Sequence, residues 1–363
     1  MTAHEPYVVC VIVTRHRAAL LERCLSAVAR QSRRPDRVVV VDNGCEAETA
    51  TVTSRCGLPH TYLPSRLNLG GAGGFAYGIL AALAMGADWV WLADDDGRPG
   101  HRRTLERLLW CAGDQRLGAV SPLVVDARQP ERLAFPLRRG LTWLRRVDEV
   151  GGAEFIPGLA NLFNGALFSA AALQQVGVPD MRLFVRGDEV EIHRRLRRSG
   201  VRFGTWTPAL YEHPSGQEDW LDLWGGLASV LVPSDASRRD TTFRNLGYLT
   251  SQPGLRWRRL PDELRYAWHY LAVRGDVAGF ARWRRLASEG RGERFPARVE
   301  TRFTAPSPPS LSRRAGVVPA PRREGFASPV PVGVAASDSP RWAELGSPGR
   351  SRRSYLAPPD SSR

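Results

Sequence analysis

Residues 89–97 read Trp-Val-Trp-Leu-Ala-Asp-Asp-Asp-Gly, an apolar run that ends in three consecutive aspartates, Asp94, Asp95 and Asp96. Ionised carboxylates at this spacing repel one another, so they need a counter-cation, and hard oxygen ligands suit Mg2+ or Mn2+. A solvated acidic turn is the alternative, but carboxylates are rarely left unpaired beside a core. The stretch therefore predicts a buried strand that ends in a metal or nucleotide site.

Strands and helices alternate on the N-terminal side of this stretch. The predicted strands are 7–13, 38–41, 60–63 and 89–93, and the predicted helices are 17–31, 46–56 and 75–86. The strand at 38–41 is entirely valine, which is typical of a parallel strand buried on both faces. This alternation predicts an α/β fold with a mostly parallel sheet, whose ligands lie beyond the carboxyl ends of the strands. Asp42 and Asp94 occupy such positions.

The composition divides the chain into three parts. Residues 1–240 are predicted to form the α/β domain, and residues 241–291 are predicted to be helical and are rich in arginine and aromatic residues. Residues 292–363 are rich in Pro, Ser, Arg and Gly without periodicity, so this tail is predicted to be disordered.

The overall charge and the cysteine pattern narrow the protein class. The net charge of +14 attracts anions such as nucleotide diphosphates or lipid headgroups. No nucleic-acid-binding motif is present, so a nucleic-acid partner is not expected. No apolar run approaches the roughly 20 residues that span a bilayer, and no signal peptide is expected. The five cysteines lack Cys-x-x-Cys spacing, which favours free thiols in a reducing cytoplasm.

A glycine-rich stretch precedes the helix predicted at 75–86. Residues 66–74 read Arg-Leu-Asn-Leu-Gly-Gly-Ala-Gly-Gly. Backbone amides at such a position can approach a diphosphate closely, although a plain tight loop explains the glycines equally well. The stretch is neither a Walker A motif nor a dinucleotide fingerprint.

An acidic cluster begins another predicted helix, at Asp188, Glu189 and Glu191. A carboxylate at a helix N-terminus can stay ionised and accept a proton, but the cluster can equally cap the helix and pair with the arginines that follow it. His213, in Tyr-Glu-His-Pro, is either a metal ligand or a surface histidine in a loop.

Several motifs occur in the order found in the GT-A glycosyltransferases of family 2, which the chain resembles over residues 7–290. The matching stretches are 39–43, 68–75, 89–97, 133–140, 163–168 and 183–191. Two of them, Phe-Pro-Leu-Arg-Arg-Gly and Arg-Gly-Asp-Glu-Val-Glu, are similar to the actinobacterial galactofuranosyltransferases that start cell-wall galactan. The resemblance implies a GT-A fold, a Rossmann-like and mostly parallel sheet flanked by helices, followed by a helical C-terminal region.

The resemblance also assigns residues to roles. The general base would be Glu189, with Asp188 as the alternative. The metal, Mn2+ or Mg2+, would be bound by Asp94, Asp96 and His213. The residues implied on the nucleotide side are Thr14, Arg15, Asp42, Asn68, Gly70, Gly71, Gly73, Gly74 and Asp95, and those on the acceptor side are Phe163, Asn164 and Glu191.

The implied reaction is an inverting transfer of galactofuranose from UDP-galactofuranose to a rhamnosyl-N-acetylglucosaminyl-diphospho-polyprenol. That acceptor lies in the membrane, so the protein is expected at the inner face of the plasma membrane. Residues 256–291, where Trp and Tyr alternate with Arg, have the composition of an interfacial helix, although an ordinary packed helix is the alternative. Another family 2 enzyme, such as a rhamnosyltransferase, and an inactive scaffold with the same fold are the rival interpretations.

Overall fold

Four parallel strands form the part of the central sheet that the hydrophobic pattern predicted. The computed structural model describes residues 5–139, 142–215 and 219–297, and the predicted tail from 298 onward lies outside them. The four strands are β1 (Val8–Thr14), β2 (Arg37–Asp42), β3 (His60–Pro64) and β4 (Trp89–Asp94), in the order β3-β2-β1-β4. The helices between them are α1 (Ala18–Ala29), α2 (Ala47–Ser54) and α3 (Gly70–Ala84). The predicted α/β fold is confirmed, although α3 begins at Gly70 rather than at 75.

The sheet continues beyond β4 through strands that the sequence did not predict as such. Beyond β4 the order is β10, β6, β11 and β5, with β11 parallel to β6 and the short β10 antiparallel to both of its neighbours. These strands are β5 (Arg98–Pro99), β6 (Ala119–Asp126), β7 (Arg132–Arg139), β8 (Thr142–Arg146), β9 (Phe155–Pro157), β10 (Leu167–Ser169) and β11 (Phe203–His213). The helices of this half are α4 (Thr104–Asp114), α5 (Ala170–Val176) and α6 (Asp188–Ser199). The partial exception is β10: the sequence of residues 161–176 predicts a strand that turns into a helix, and the structure has this order, although the strand begins only at Leu167.

Both faces of the sheet are covered by helices, as the all-valine strand β2 predicted. Side chains of a strand alternate between faces, so Cys10 and Ile12 of β1 pack with residues of α1 and α4, while Val9 and Val11 pack with residues of α3 and α6. The helix α3 approaches β1 closely, because a Cβ at Gly78 would lie 2.3 Å from Cγ1 of Val11. The strands that carry the acidic residues are therefore packed against buried side chains on both faces of the sheet.

The C-terminal region builds a separate hydrophobic cluster. It comprises the hairpin strands β12 (Trp220–Leu223) and β13 (Ala228–Leu231) with α7 (Ala236–Leu249), α8 (Arg259–Ala267), a π-helical turn (Trp268–Val273) and α9 (Val277–Arg291). Phe243, Tyr266, Tyr270 and Trp283 are buried together there. Several aromatic residues expected at a membrane surface are therefore core residues. Within the described ranges, no helix has the length and apolarity that crossing a bilayer requires.

Candidate active site

The three aspartates lie where β1 and β4 end side by side, with Val13 of β1 paired to Asp94 of β4. Asp95 is buried, and its carboxylate accepts hydrogen bonds from the Thr14 hydroxyl at 2.7 Å and from Arg17 at 3.1 Å. The same guanidinium nitrogen of Arg17 lies 3.0 Å from Asp96. Arg17 therefore bridges two neighbouring carboxylates and offsets part of their negative charge. Sequence reasoning did not single it out, and its only signal was its place in the loop after β1.

His213 lies against this acidic cluster. Its Nε2 is 2.9 Å from Oδ1 of Asp96, and its Nδ1 is 2.6 Å from the carbonyl oxygen of Pro214. A carbonyl only accepts, so Nδ1 carries a proton, and in the ion pair Nε2 also carries a proton, which it donates to Asp96; a bound metal ion would take the place of that Nε2 proton. The ring of Phe135, the first residue of the Phe-Pro-Leu-Arg-Arg-Gly stretch and part of β7, packs against the imidazole with 5.0 Å between the ring centroids. Of the two interpretations of His213, the surface histidine in a loop is wrong, because His213 is the buried last residue of the long strand β11.

Asp94, Asp96 and His213 form a group that fits a divalent cation. Their ligand atoms all lie within 4.8 Å of one another. Burial, together with the charges of Asp96 and Asp95, raises the pKa of Asp94 to about 7. Burial alone would also raise the pKa of Asp96, but the hydrogen bond from His213 and the charge of Arg17 lower it overall. Two carboxylates and one imidazole suit Mn2+, and Mg2+ less closely.

Two further carboxyl groups lie in the first turn of α6. The Oε1 atom of Glu189 accepts a hydrogen bond from the backbone N–H of Leu162 at 2.6 Å. Burial raises the pKa of Glu189 to about 7, although the charge of nearby His213 opposes this. Burial likewise raises the pKa of Asp188 to about 6, against hydrogen bonds from backbone amides of the same turn. A carboxyl group with a pKa near neutrality can both accept and release a proton, which is what general-base catalysis requires.

The remaining predicted acceptor residues differ in their contacts. Glu191 points its carboxylate at Arg194 and Arg195, with the bidentate pairing of a structural ion pair. The ring of Phe163 stacks on Phe75 at 4.6 Å and is part of the core. Asn164 is also buried, and its Oδ1 has no hydrogen-bond partner among the described residues. Of these three side chains, Asn164 is therefore the one with a free buried polar atom to offer a ligand.

Asp42 and its neighbours lie at the adjacent strand end, with Asp42 paired to Thr14. The fully buried Asp42 carboxylate accepts from the backbone N–H groups of Gly44 and Glu46 and from the Tyr62 hydroxyl, at 2.7–2.8 Å. It thus organises the loop between β2 and α2. Arg15 is exposed beside Thr14. The roles of Asp42 and Arg15 in nucleotide binding stay predictions.

The glycines of the glycine-rich stretch lie in the first turns of α3, where close packing with neighbouring residues explains why they are glycine. A Cβ at Gly70, where φ is +67°, would lie 2.3 Å from the carbonyl oxygen of Phe184, and one at Gly74 would lie 2.6 Å from Val13. Gly73 is buried against Leu69, and Gly71 lies near Asp188. Asn68 accepts a hydrogen bond from the N–H of Gly70 at 2.9 Å. Contact of this stretch with a donor stays a prediction.

Comparison with known proteins identifies the family. The solved structure of S. aureus TarS 1–349 aligns with a TM-score of 0.47 at 13% identity, covering 79% of this chain and 91% of that one. Residues 5–213 match the family model "Glycosyltransferase like family 2". Galactofuranosyltransferase GlfT1 of Mycolicibacterium smegmatis is 51% identical over 80% of this chain and 99% of its own length. The protein of the same name from Mycobacterium tuberculosis H37Rv is 50% identical over 79% and 96%. The chain therefore belongs to glycosyltransferase family 2.

Proposed function

We propose that this glycosyltransferase transfers galactofuranose from UDP-galactofuranose to a rhamnosyl-N-acetylglucosaminyl-diphospho-polyprenol, with inversion at the anomeric carbon. The observation that carries the proposal is the identity of about one half to galactofuranosyltransferases over nearly their whole length. The arrangement of an acidic cluster at the strand ends with a carboxyl group of raised pKa in α6 supports it.

Glu189 acts as the general base in this proposal, and Asp188 is the alternative. The carboxylate of Glu189 takes the proton from an acceptor hydroxyl as that oxygen attacks the anomeric carbon of the donor. The bond from the anomeric carbon to the diphosphate oxygen breaks, and UDP leaves with the bonding electron pair. Because the nucleophile arrives opposite the leaving group, an α-linked donor gives a β-linked product.

The residues of β1, β4 and β11 serve the nucleotide end of the donor. Asp94, Asp96 and His213 would hold Mn2+ or Mg2+, which supplies positive charge against the diphosphate of the leaving UDP. Arg17 forms ion pairs with Asp95 and Asp96 and adds a fixed cation beside this group. Thr14 keeps Asp95 turned toward the β1 loop, so that Asp94 and Asp96 remain the carboxylates grouped with His213.

An exposed apolar face on the C-terminal helices supports docking at a membrane. Trp257, Leu260, Leu264, Trp268 and Leu271 are spaced by three or four residues and are exposed, although this spacing normally marks the buried face of a helix. The hairpin turn extends this face, since Trp224 lies 6.0 Å from Trp268 and Leu227 is 88% exposed. Arg256, Arg259 and Arg274 are exposed nearby in sequence. Aromatic, aliphatic and basic side chains in this combination suit an anionic lipid surface, here the inner face of the plasma membrane.

Transfer to a synthetic rhamnosyl-N-acetylglucosaminyl lipid tests the reaction. We expect turnover with UDP-galactofuranose and Mn2+, and none with dTDP-rhamnose, which would instead be used by a rhamnosyltransferase. Asp96→Ala and Glu189→Gln should each abolish turnover, while Glu189→Gln still binds UDP with metal. Full activity of either variant would contradict the role given to that residue, and turnover with dTDP-rhamnose alone would contradict the donor.

Sedimentation with lipid vesicles tests the membrane surface separately. The parent chain should bind vesicles that contain phosphatidylglycerol, and a Leu260→Glu, Leu264→Glu double variant should bind them at least tenfold more weakly. Leu80→Glu, an exposed leucine of α3, is the matched control and should bind like the parent. Equal binding by the double variant would exclude this face as the contact.

A further inference from the structure

The loop that leads into α6 has a strained backbone. Phe184 has φ +62° and ψ −66°, and the N–H of Val185 bonds to the carbonyl of Leu183 at 2.7 Å, which together form a γ-turn of the rare, strained type. Arg186 also has a positive φ, of +68°. Each such non-glycine residue costs about 1–3 kcal/mol and persists only when its surroundings fix it. Something must therefore hold residues 183–186 in place.

Asn245 of α7 holds this loop from one side. Its buried side-chain amide nitrogen lies 2.6 Å from the carbonyl oxygen of Leu183, 3.1 Å from that of Val185 and 2.7 Å from that of Arg186. The carbonyl of Phe184 is held from the opposite side, where it accepts from the N–H of Ala72 in α3 at 3.0 Å. Four consecutive carbonyl groups are thus held, three of them around one NH2 group whose two hydrogens are shared among the three acceptors.

We propose that Asn245 is a positioning residue for the catalytic carboxylate of α6, an inference that rests on the proposed function. Asp188 begins α6 two residues after the last carbonyl that Asn245 holds, and Glu189 follows it. The direction in which the helix leaves the loop therefore sets where the Glu189 carboxylate lies. A displacement of about 1 Å in a catalytic group can lower the rate about 100-fold.

This assignment gives the C-terminal region a second task besides packing. The side chain that holds the loop comes from α7, and another buried residue of this helix, Phe243, belongs to the C-terminal hydrophobic cluster. The hydrogen bonds of the Asn245 side chain go to carbonyl groups of the loop, and within the described part of the chain none goes to the nucleotide-side residues on β1 and β4. Loss of Asn245 should thus affect the chemical step and spare donor binding.

Two substitutions at Asn245 test the proposal. Asn245→Asp keeps the shape but replaces the donating NH2 group by an oxygen that cannot donate to a carbonyl, and Asn245→Ala removes the contact without adding a charge. We expect kcat to fall about 30- to 100-fold in both, with the KM for UDP-galactofuranose and the affinity for UDP with Mn2+ within twofold of the parent. The matched control is Thr242→Val, a buried position on the same helix whose hydroxyl donates a hydrogen bond within α7, to the carbonyl of Arg238. It should keep the parent kcat.

Hydrogen exchange of the peptide that contains residues 183–190 provides a readout that does not depend on turnover. Its amides should exchange at least tenfold faster in both Asn245 variants and at the parent rate in Thr242→Val. The proposal is overturned if kcat and exchange stay near the parent values, or if kcat, KM, UDP affinity and Tm deteriorate together as in a general loss of packing. A parent chain without transferase activity would contradict the proposed function instead, whereas the exchange result would still report on the loop.

Discussion

Transfer should slow as the pH falls from 8 to 5, because the carboxyl group that accepts the proton must be ionised. Burial raises the pKa of Glu189 to about 7 and that of Asp188 to about 6. At pH 6, about one tenth of a group with a pKa of 7 is ionised, against about half of a group with a pKa of 6. At pH 5 the fractions are about 1% and about 10%. The fall of kcat between pH 7 and pH 5 therefore distinguishes Glu189 from Asp188 as the general base.

The assay is kcat at saturating donor, acceptor and metal between pH 5 and 8. Binding of UDP with Mn2+ is measured at each pH, so that protonation of Asp94, whose pKa is also raised to about 7, is seen separately. With Glu189 as base, the parent should keep about one tenth of its plateau rate at pH 6. Asp188→Asn should keep a somewhat larger fraction, because the charge of Asp188 helps to raise the pKa of Glu189, and Glu189→Gln should be inactive throughout. A kcat that does not change across this range while the nucleotide stays bound would refute the reasoning.

Three further predictions concern stability and the acidic cluster. Gly78→Ala should lower the free energy of unfolding in urea by about 1–3 kcal/mol, because its Cβ would meet Val11. The control Gly113→Ala, in open space within α4, should be neutral or slightly stabilising. Equal losses of stability in the two variants would contradict this packing argument. His213→Ala should weaken Mn2+ binding in the presence of UDP at least tenfold by calorimetry, and unchanged affinity would remove it from the ligand set. Arg17→Met should lower the stability of the metal-free protein by about 1–3 kcal/mol, since Asp95 loses a charged partner. Added Mn2+ should narrow that deficit, and the same deficit with and without Mn2+ would speak against shared neutralisation.

The N-terminal half of the sheet was predictable because its signals are local. The strands β1, β2 and β4 contain short apolar runs, β3 is a short mixed run, and the segments between them have helical periodicity or turn residues. The position of Asp94 to Asp96 at a strand end follows from the same pattern. A carboxylate cluster after a buried strand is chemically unusual, so it also identifies the site without any knowledge of the fold.

The other half of the site depends on contacts between residues far apart in sequence. His213 joins Asp96 only because β11 runs parallel to β6 in the same sheet, and nothing in Tyr-Glu-His-Pro indicates an 11-residue strand. The sequence left open whether the glycines of α3 contact a diphosphate or only form a tight loop, because the neighbours that require them for packing, Phe184 and Val13, are distant in the chain. Arg17 and Asn245 likewise act through partners about 80 and 60 residues away. Local patterns carry no information about such pairs.

The Arg17 guanidinium that bridges Asp95 and Asp96 has a consequence for the order in which this protein folds and binds its metal ion. Small zinc domains are unfolded until their ion arrives, because nothing else offsets the repulsion and solvation of their ligands. Here the positive charge of Arg17 already offsets part of the repulsion between the carboxylates. We therefore expect the polypeptide to fold first and to bind its metal ion afterwards. Chelation by EDTA should accordingly abolish transferase activity and leave the circular dichroism spectrum unchanged. Re-addition of Mn2+ or Mg2+ should restore turnover without a refolding step.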